Sequence, residues 1–183
     1  GIYGAFESTI RRRWLKDLGV KFVFIDPYYN HTNGLYGGKW FAPRLGTDAA
    51  LALGIAHTWL VEGTYDKEYV ATHTYGFDEW TEYVLGKSDG VPKTAEWASE
   101  ECGIPAHEIR ALAREWAKHK TMLAAGGKGG WGGACRSPIG MDWARMMIAL
   151  ITMQGLGKPG INLYCTTEGV PVDSDFYFPG YAD

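Results

Sequence analysis

Two aspartates occupy positions at which a carboxylate could bind a nucleoside. Asp26 follows the apolar run 20–25, which shows almost no alternation and therefore predicts a buried parallel strand. Thr47 and Asp48 precede a run of strong helix formers, and either residue could cap the free N–H groups of that helix. Open α/β sheets bind nucleotides at the carboxyl ends of strands and the amino ends of helices.

The chemistry expected of the two aspartates differs. Guanine suits Asp48, because its N1–H and its N2 amino group lie side by side and one ionised carboxylate can accept from both. Asp26 is placed like the acidic residue that accepts ribose hydroxyls in dinucleotide-binding folds. Each residue also has an ordinary structural interpretation, Asp48 as a helix N-cap and Asp26 as an Asx turn before Pro27. Both interpretations stay open at this point.

A second candidate site is the glycine-rich stretch 126–133, which holds six glycines in eight residues. Backbone with so few side chains can approach a ligand closely, and its N–H groups can surround phosphate oxygens. Lys128 is not followed by Ser or Thr, so the stretch is not a Walker loop. A lone Trp131 and a position between an apolar strand and a helix favour a ligand-contacting loop over a flexible linker.

The elements that must position these residues predict an α/β fold, a Rossmann-like parallel sheet with flanking helices. Apolar residues recur at helical spacing in several segments, which glycine, proline or polar turn residues separate. The helix over 47–60 has little polar face and should be buried on most sides. The predicted helices are 6–18, 47–60, 66–73, 78–85, 94–102, 108–119 and 140–154, and the predicted strands are 20–25 and 121–125, with a loop over 27–43 that includes a short extended piece at 39–42.

Composition, charge and hydropathy limit the kinds of partner and the cellular environment that the sequence predicts. The 183 residues include 18 basic and 21 acidic side chains, a net charge of −3, which gives no electrostatic reason to expect nucleic acid as a partner. Three widely separated cysteines form no local metal motif and predict a reducing, cytoplasmic environment. No apolar run is long enough to predict a membrane span. The first residue, Gly1, is not a methionine and the chain ends on no predicted element, so we expect an internal fragment of a larger protein.

The order of these stretches resembles the molybdopterin oxidoreductases of the dimethyl sulfoxide reductase family. The resemblance extends over residues 15–163. It rests on four motifs: an apolar strand that ends in I-D-P, the sequence G-T-D-A-A-L that opens a helix, a strand that enters a glycine-rich loop, and a G-x-G-K-P-G turn after the last helix.

The resemblance implies a molybdenum enzyme with a bis(molybdopterin guanine dinucleotide) cofactor, of which residues 1–183 are an internal part of the catalytic subunit in a multi-domain protein. It places the protein ligand of the metal before Gly1, and no residue of the chain replaces that ligand. It also implies an iron–sulfur small subunit as a partner. The residues to which it assigns cofactor binding are Asp26, Pro27, Gly46, Thr47, Asp48, Gly129, Gly130 and Arg136.

The aromatic residues in several stretches make the sequence most similar to family members that move a hydroxyl group between polyhydroxylated benzenes. For such members the resemblance implies a substrate pocket that includes Trp131 and Cys135, with Tyr181 as a catalytic residue. Trp131 offers a flat face for an aromatic substrate, and a phenol with a reference pKa of about 10 could exchange a proton with a phenolic substrate. Tyr181 could instead only pack against its aromatic neighbours in 176–178.

Two alternatives remain open from the sequence. The first is another reductase or hydratase of the same family with a different small substrate. The second is a non-catalytic α/β nucleotide-binding module.

Overall fold

The computed structural model describes residues 5–124 and 137–164. Within them, helices and short strands alternate along the chain. The helices are α1 Ala5–Asp17, α2 His31–Tyr36, α3 Asp48–Glu62, α4 Lys67–His73, α5 Phe77–Val84, α6 Ala95–Cys102, α7 Ala106–Ala117 and α8 Gly140–Met153, and the strands are β1 Val23–Ile25, β2 Lys39–Phe41, β3 Met122–Ala124 and β4 Asn162–Tyr164.

Helix α3 forms the centre of the hydrophobic core. Ten of its fifteen residues are buried, and it packs against α6, α7 and α8. The burial follows from a sequence that is apolar on nearly every face, so the predicted position and burial of this helix are confirmed. Trp59 is 1% exposed, donates from Nε1 to the Ala113 carbonyl at 2.7 Å, and meets Trp116 edge to face at 5.2 Å.

A glycine allows α3 and α6 to lie close together. A Cβ atom added at Gly54 would lie 2.6 Å from the Cβ of Ala98, a separation that real side-chain atoms do not reach. The pairing of a glycine with an alanine therefore sets the distance between the two helices. Any larger residue at either position would force them apart.

The strands form two parallel pairs, β1 with β2 and β3 with β4. In the first pair Val23 aligns with Lys39 and Ile25 with Phe41. The predicted α/β class, with parallel strands and flanking helices, is confirmed, although the described residues contain two sheets of two strands rather than one sheet. The extended piece predicted at 39–42 corresponds to β2. The predicted loop around it also contains α2, and β4 was not predicted.

The prediction that the first strand is buried is wrong for the described part of the chain. Val23 is 43% exposed and Ile25 is 37% exposed, and β1 has only three residues. Strand β1 has β2 on one side, and the described residues leave the face that carries Val23 and Ile25 partly exposed. An unbroken apolar run predicts a strand that can be buried, but it does not supply the covering layer.

Candidate functional site

The parallel pairing of β1 and β2 brings the two aspartates to one edge of the sheet. Asp26 follows β1 directly, and its backbone N–H donates to the Phe41 carbonyl at the end of β2, at 3.0 Å. From Phe41 the chain needs only six residues to reach Asp48, the first residue of α3. Because parallel strands end at the same edge, the strand end and the helix start meet there, as the sequence predicted.

Two further polar contacts fix Asp26. The Asn30 side chain donates from Nδ2 to the Asp26 carboxylate at 2.7 Å, and the Trp40 indole N–H donates to the Asp26 carbonyl at 2.9 Å. Asn30 also caps α2, since its Oδ1 accepts from the backbone N–H of Thr32 at 2.9 Å. One carboxylate oxygen of Asp26 is therefore held in place, and the group is half-buried. Pro27, the next residue, is exposed.

A tight turn presents Gly46, Thr47 and Asp48. Gly46 has a φ of +78°, a conformation in which side chains other than glycine are strained. The Thr47 hydroxyl donates to the Arg44 carbonyl at 2.7 Å, and the Thr47 N–H donates to the same carbonyl at 3.2 Å. Of the two residues predicted as possible caps, Thr47 occupies the N-cap position of α3 but its side chain makes no capping bond, and Asp48 is the first residue of the helix. The Thr47 hydroxyl closes the turn instead.

Arg44 anchors this turn to another helix. Its guanidinium donates from Nη1 to the Glu100 carbonyl at 2.7 Å, and its backbone N–H donates to the Cys102 carbonyl at 2.9 Å. Both acceptors lie in the last turn of α6, where carbonyls lack partners within the helix and a cation is favourable. The segment that carries Asp48 is therefore fixed to the end of α6 by two hydrogen bonds of Arg44.

The Asp48 carboxylate lies in an environment that disfavours its charge. Partial burial raises its pKa above 3.8, its own backbone N–H acts in the opposite direction, and the negative charge of Asp26 raises the pKa further. The structure thus places two acceptor carboxylates near each other. A neutral ligand with several N–H or O–H donors would relieve both the desolvation and the repulsion, which is the chemistry that a guanosine offers. The residues present therefore fit such a group.

Exposed aromatic rings lie on the Asp26 side of the site. Tyr28, Tyr29 and Trp40 are 65%, 56% and 40% exposed, and Tyr29 meets Trp40 edge to face with ring centroids 5.3 Å apart. Flat apolar faces beside hydrogen-bond acceptors suit a planar heterocycle, which buries its faces and pairs its edges.

The second pair of strands leads to the other predicted site residues. In the parallel pair, Met122 aligns with Asn162 and Ala124 aligns with Tyr164, so the sequences that follow β3 and β4 leave from one sheet edge. The glycine stretch follows β3, and the stretch that ends at Asp183 follows β4. Six of the predicted site residues lie outside the described residues, and their roles stay predictions: Gly129, Gly130, Trp131, Cys135, Arg136 and Tyr181.

Sequence reasoning missed three residues that hold the site together, namely Asn30, Trp40 and Arg44. Asn30 carried a usable signal, since an asparagine before a short polar segment is typical of a helix N-cap. Arg44 carried none, because its partner Glu100 lies 56 residues further along the chain.

The described residues contain neither a cluster of metal ligands nor a helix that could cross a membrane. In 5–124 and 137–164, no group of three or more His, Cys, Asp or Glu side chains could hold a metal ion. No helix within those two ranges has the length and apolar character needed to cross a membrane.

A protein-family description and several known proteins match this chain. The family described as Molybdopterin oxidoreductase matches residues 5–171. The large subunit of pyrogallol hydroxytransferase from Pelobacter acidigallici is 68% identical over 183 residues, which is 100% of this chain and 21% of that protein. The trimethylamine-N-oxide reductase of Haemophilus influenzae is 39% identical over 158 residues, which is 84% of this chain and 18% of that protein.

A solved structure resembles the described fold. Acetylene hydratase from Pelobacter acetylenicus matches with a TM-score of 0.64 at 25% sequence identity, over 77% of this chain and 18% of that one. The chain spans about a fifth of the length of these relatives. The family match covers most of the chain. Within the matched residues, the order of strand, turn and helix brings both aspartates to one sheet edge. The chain therefore belongs to the molybdopterin oxidoreductase family.

Proposed function

We propose that this chain is part of the catalytic subunit of a molybdenum enzyme that transfers a hydroxyl group between polyhydroxylated benzenes, converting pyrogallol to phloroglucinol. The observation that carries the proposal is the 68% identity to pyrogallol hydroxytransferase large subunit over every residue of the chain. The reductases of the family are less similar, at 38% identity for the dimethyl sulfoxide/trimethylamine N-oxide reductase of Rhodobacter capsulatus.

In this proposal the cofactor is bis(molybdopterin guanine dinucleotide), which supplies the redox chemistry at its molybdenum when bound. Asp48 accepts hydrogen bonds from the N1–H and N2 amino group of one guanine, and Asp26 accepts from the ribose hydroxyls beside it. Pro27, Gly46 and Thr47 shape the backbone around that nucleoside. The raised pKa of Asp48 supports this arrangement, because hydrogen bonds from guanine would stabilise the ionised form that burial and Asp26 disfavour.

The substrate side of the proposed site comes from the sequences after β3 and β4. Gly129, Gly130 and Arg136 contact the cofactor, Trp131 and Cys135 line the pocket, and Tyr181 exchanges a proton with a phenolic hydroxyl. The parallel pairing of β3 with β4 supports a shared site, since both sequences start from one edge of the sheet. The reaction has no net redox change, so turnover needs no external electron donor.

The proposal extends to the assembly. The relative is named as a large subunit, which indicates at least one further subunit in that enzyme. For this chain we propose an iron–sulfur small subunit as the partner, a catalytic subunit continuing beyond residues 1–183, and a cytoplasmic location.

A second candidate is a different reaction of the same family, and the fold match to acetylene hydratase favours it. An anaerobic assay of the complete enzyme separates the two, with pyrogallol as hydroxyl acceptor and a tetrahydroxybenzene as the donor that becomes phloroglucinol. The proposed activity forms phloroglucinol without an added reductant, whereas a reductase consumes a reduced dye with dimethyl sulfoxide or trimethylamine N-oxide. Reduction of an oxide, or hydration of acetylene, without hydroxyl transfer would refute the proposal. The comparisons do not favour a non-catalytic module.

The proposed pocket residue can be tested in the same assay. We expect Trp131→Ala to lower kcat/KM for the aromatic substrate about tenfold, because the stacking surface is lost, while molybdenum content stays at the wild-type level. Trp131→Phe is the matched control, since it keeps a flat ring. Unchanged kinetics in Trp131→Ala would place this residue outside the pocket.

A further inference from the structure

Helix α4 holds the turn between α8 and β4, although the two lie about ninety residues apart in the sequence. The Lys158 ammonium forms an ion pair with the Asp66 carboxylate. The Tyr69 hydroxyl donates to the Leu156 carbonyl at 2.6 Å, and the Asp66 N–H donates to the Met153 carbonyl at 2.7 Å. Three contacts from one end of α4 therefore reach the end of α8 and the turn that follows it.

The three side chains also orient one another. The Asp66 carboxylate accepts from the Tyr69 backbone N–H at 3.0 Å and so caps α4, while the Lys158 ammonium lies 5.6 Å from the centre of the Tyr69 ring. The pKa of Asp66 is lowered, mainly by its hydrogen bond with Lys158. An exposed ion pair alone contributes little to stability. Here Asp66 also caps α4, and Lys158 also lies beside the ring of Tyr69, whose hydroxyl is half-buried.

The turn that these contacts hold sets the start of β4. The Gly157 N–H donates to the Ile161 carbonyl at 3.0 Å, and the Asn162 N–H then donates to the Thr121 carbonyl beside β3, at 3.2 Å. β4 has only three residues, and its partner Met122 is 49% exposed. Burial on one face therefore specifies the register of this pair weakly, and the turn must supply the rest.

The turn also has little room to rearrange. Gly155 has a φ of +89°, and a Cβ atom there would lie 2.8 Å from Lys158 Cδ and 2.9 Å from the nearer carboxylate oxygen of Asp66. The lysine and the carboxylate thus close over the glycine backbone. The contact is specific to this arrangement of the turn.

We propose that Asp66, Tyr69 and Lys158 form a clamp that fixes the register of β4 against β3 and thereby positions the substrate side of the site. These are positioning residues, which act through the backbone of β4. The inference rests on the proposed function, because β4 leads to the stretch that carries Tyr181. It differs from that function in predicting that the cofactor-binding aspartates are unaffected when the clamp is removed.

The test uses the complete enzyme with Tyr69→Phe, Lys158→Met and the double variant. We expect amide hydrogen exchange in 155–164 to be about tenfold faster in the double variant and unchanged in α3. We also expect the KM for the aromatic substrate to rise several-fold, with molybdenum content and kcat near the wild-type values. Lys158→Arg should restore the KM, since it keeps the charge.

Arg114→Met is the matched control. It removes the bidentate ion pair with Glu62, in which Arg114 Nη2 lies 2.7 Å from Oε1; that pair joins α7 to α3, and neither residue belongs to the clamp or to the turn. Exchange in 155–164 that stays at the wild-type rate in the double variant would overturn the clamp. Faster exchange with an unchanged KM, or an equal KM change in Arg114→Met, would overturn its role in positioning substrate. Absence of hydroxyl transfer in the wild-type enzyme would overturn the proposed function, and exchange alone then decides whether the clamp exists.

Discussion

Replacing Asp48 with asparagine should weaken cofactor binding without destabilising the cofactor-free protein. An ionised carboxylate accepts two hydrogen bonds from guanine, and hydrogen bonds to charged groups contribute about 1.5–3 kcal/mol each. Asparagine keeps one acceptor and turns an amide N–H toward the other guanine donor. A loss of about 3 kcal/mol corresponds to a dissociation constant about a hundredfold larger.

The effect on the empty protein has the opposite sign. The pKa of Asp48 is raised by burial and by Asp26, so the folded state holds its proton more tightly than the unfolded state. The free energy of unfolding then falls as pH rises from 3.8 through the raised pKa, and above it the ionised group lowers stability by a constant amount. Asparagine carries no charge, so Asp48→Asn should leave the unfolding temperature of cofactor-free protein unchanged or higher at neutral pH.

The measurement is molybdenum and guanine content per subunit of the purified enzyme, together with the rate of cofactor loss on gel filtration. Asp78→Asn is the matched control, since Asp78 also lies in the first turn of a helix but is exposed. If Asp48→Asn retained cofactor as well as the control does, or lost it only because the cofactor-free protein unfolds at a lower temperature, the assignment of Asp48 to guanine would be refuted.

Three other predictions follow from the described contacts. Cofactor retention by the wild-type enzyme should fall on acidification, because a protonated Asp48 donates where an acceptor is needed and its raised pKa brings protonation to higher pH; retention in Asp48→Asn, followed by gel filtration at a series of pH values, should lack this step. Arg44→Met should lower stability by about 1–2 kcal/mol and reduce cofactor content, because the bond to the Glu100 carbonyl is lost; thermal unfolding and metal analysis check both, and wild-type values in both would contradict it. Gly54→Ala should destabilise the protein by about 1–3 kcal/mol through overpacking against Ala98, and adding Ala98→Gly should recover part of the lost unfolding temperature; failure of that rescue would locate the clash elsewhere.

The sequence predicts the helices well where composition alone decides them. Helix α3 is apolar on nearly every face, so its burial can be read without knowledge of its neighbours. Helix α2 was missed because its six residues are mostly polar and its start depends on a single side chain, Asn30, which accepts from two backbone N–H groups. The burial of β1 was predicted wrongly because an apolar run shows that a strand can be buried, but does not show whether another element covers it.

The candidate site was predictable to the extent that it follows from chain order. Asp26 follows one strand, and the helix that starts at Asp48 follows the next. If the two strands are parallel, the end of the first and the start of the helix lie at the same edge of the sheet, as they do in the structure. The anchoring of the turn was not predictable, because Arg44 contacts a helix end 56 residues away and nothing near either residue marks the pair. The role of Thr47 was likewise not predictable, since the same hydroxyl can cap a helix or close the preceding turn.

The two aspartates belong to parts of the protein with unequal resistance to opening. Asp26 extends a two-stranded sheet of three-residue strands whose outer face is open to solvent, whereas Asp48 begins the most deeply enclosed helix. A nucleoside held by both carboxylates therefore links a partly exposed strand pair to a buried helix. Binding of the nucleoside then reduces local opening of the strand pair, whereas the central helix opens only when the whole protein unfolds. Loss of the ligand should therefore increase opening first in the sheet.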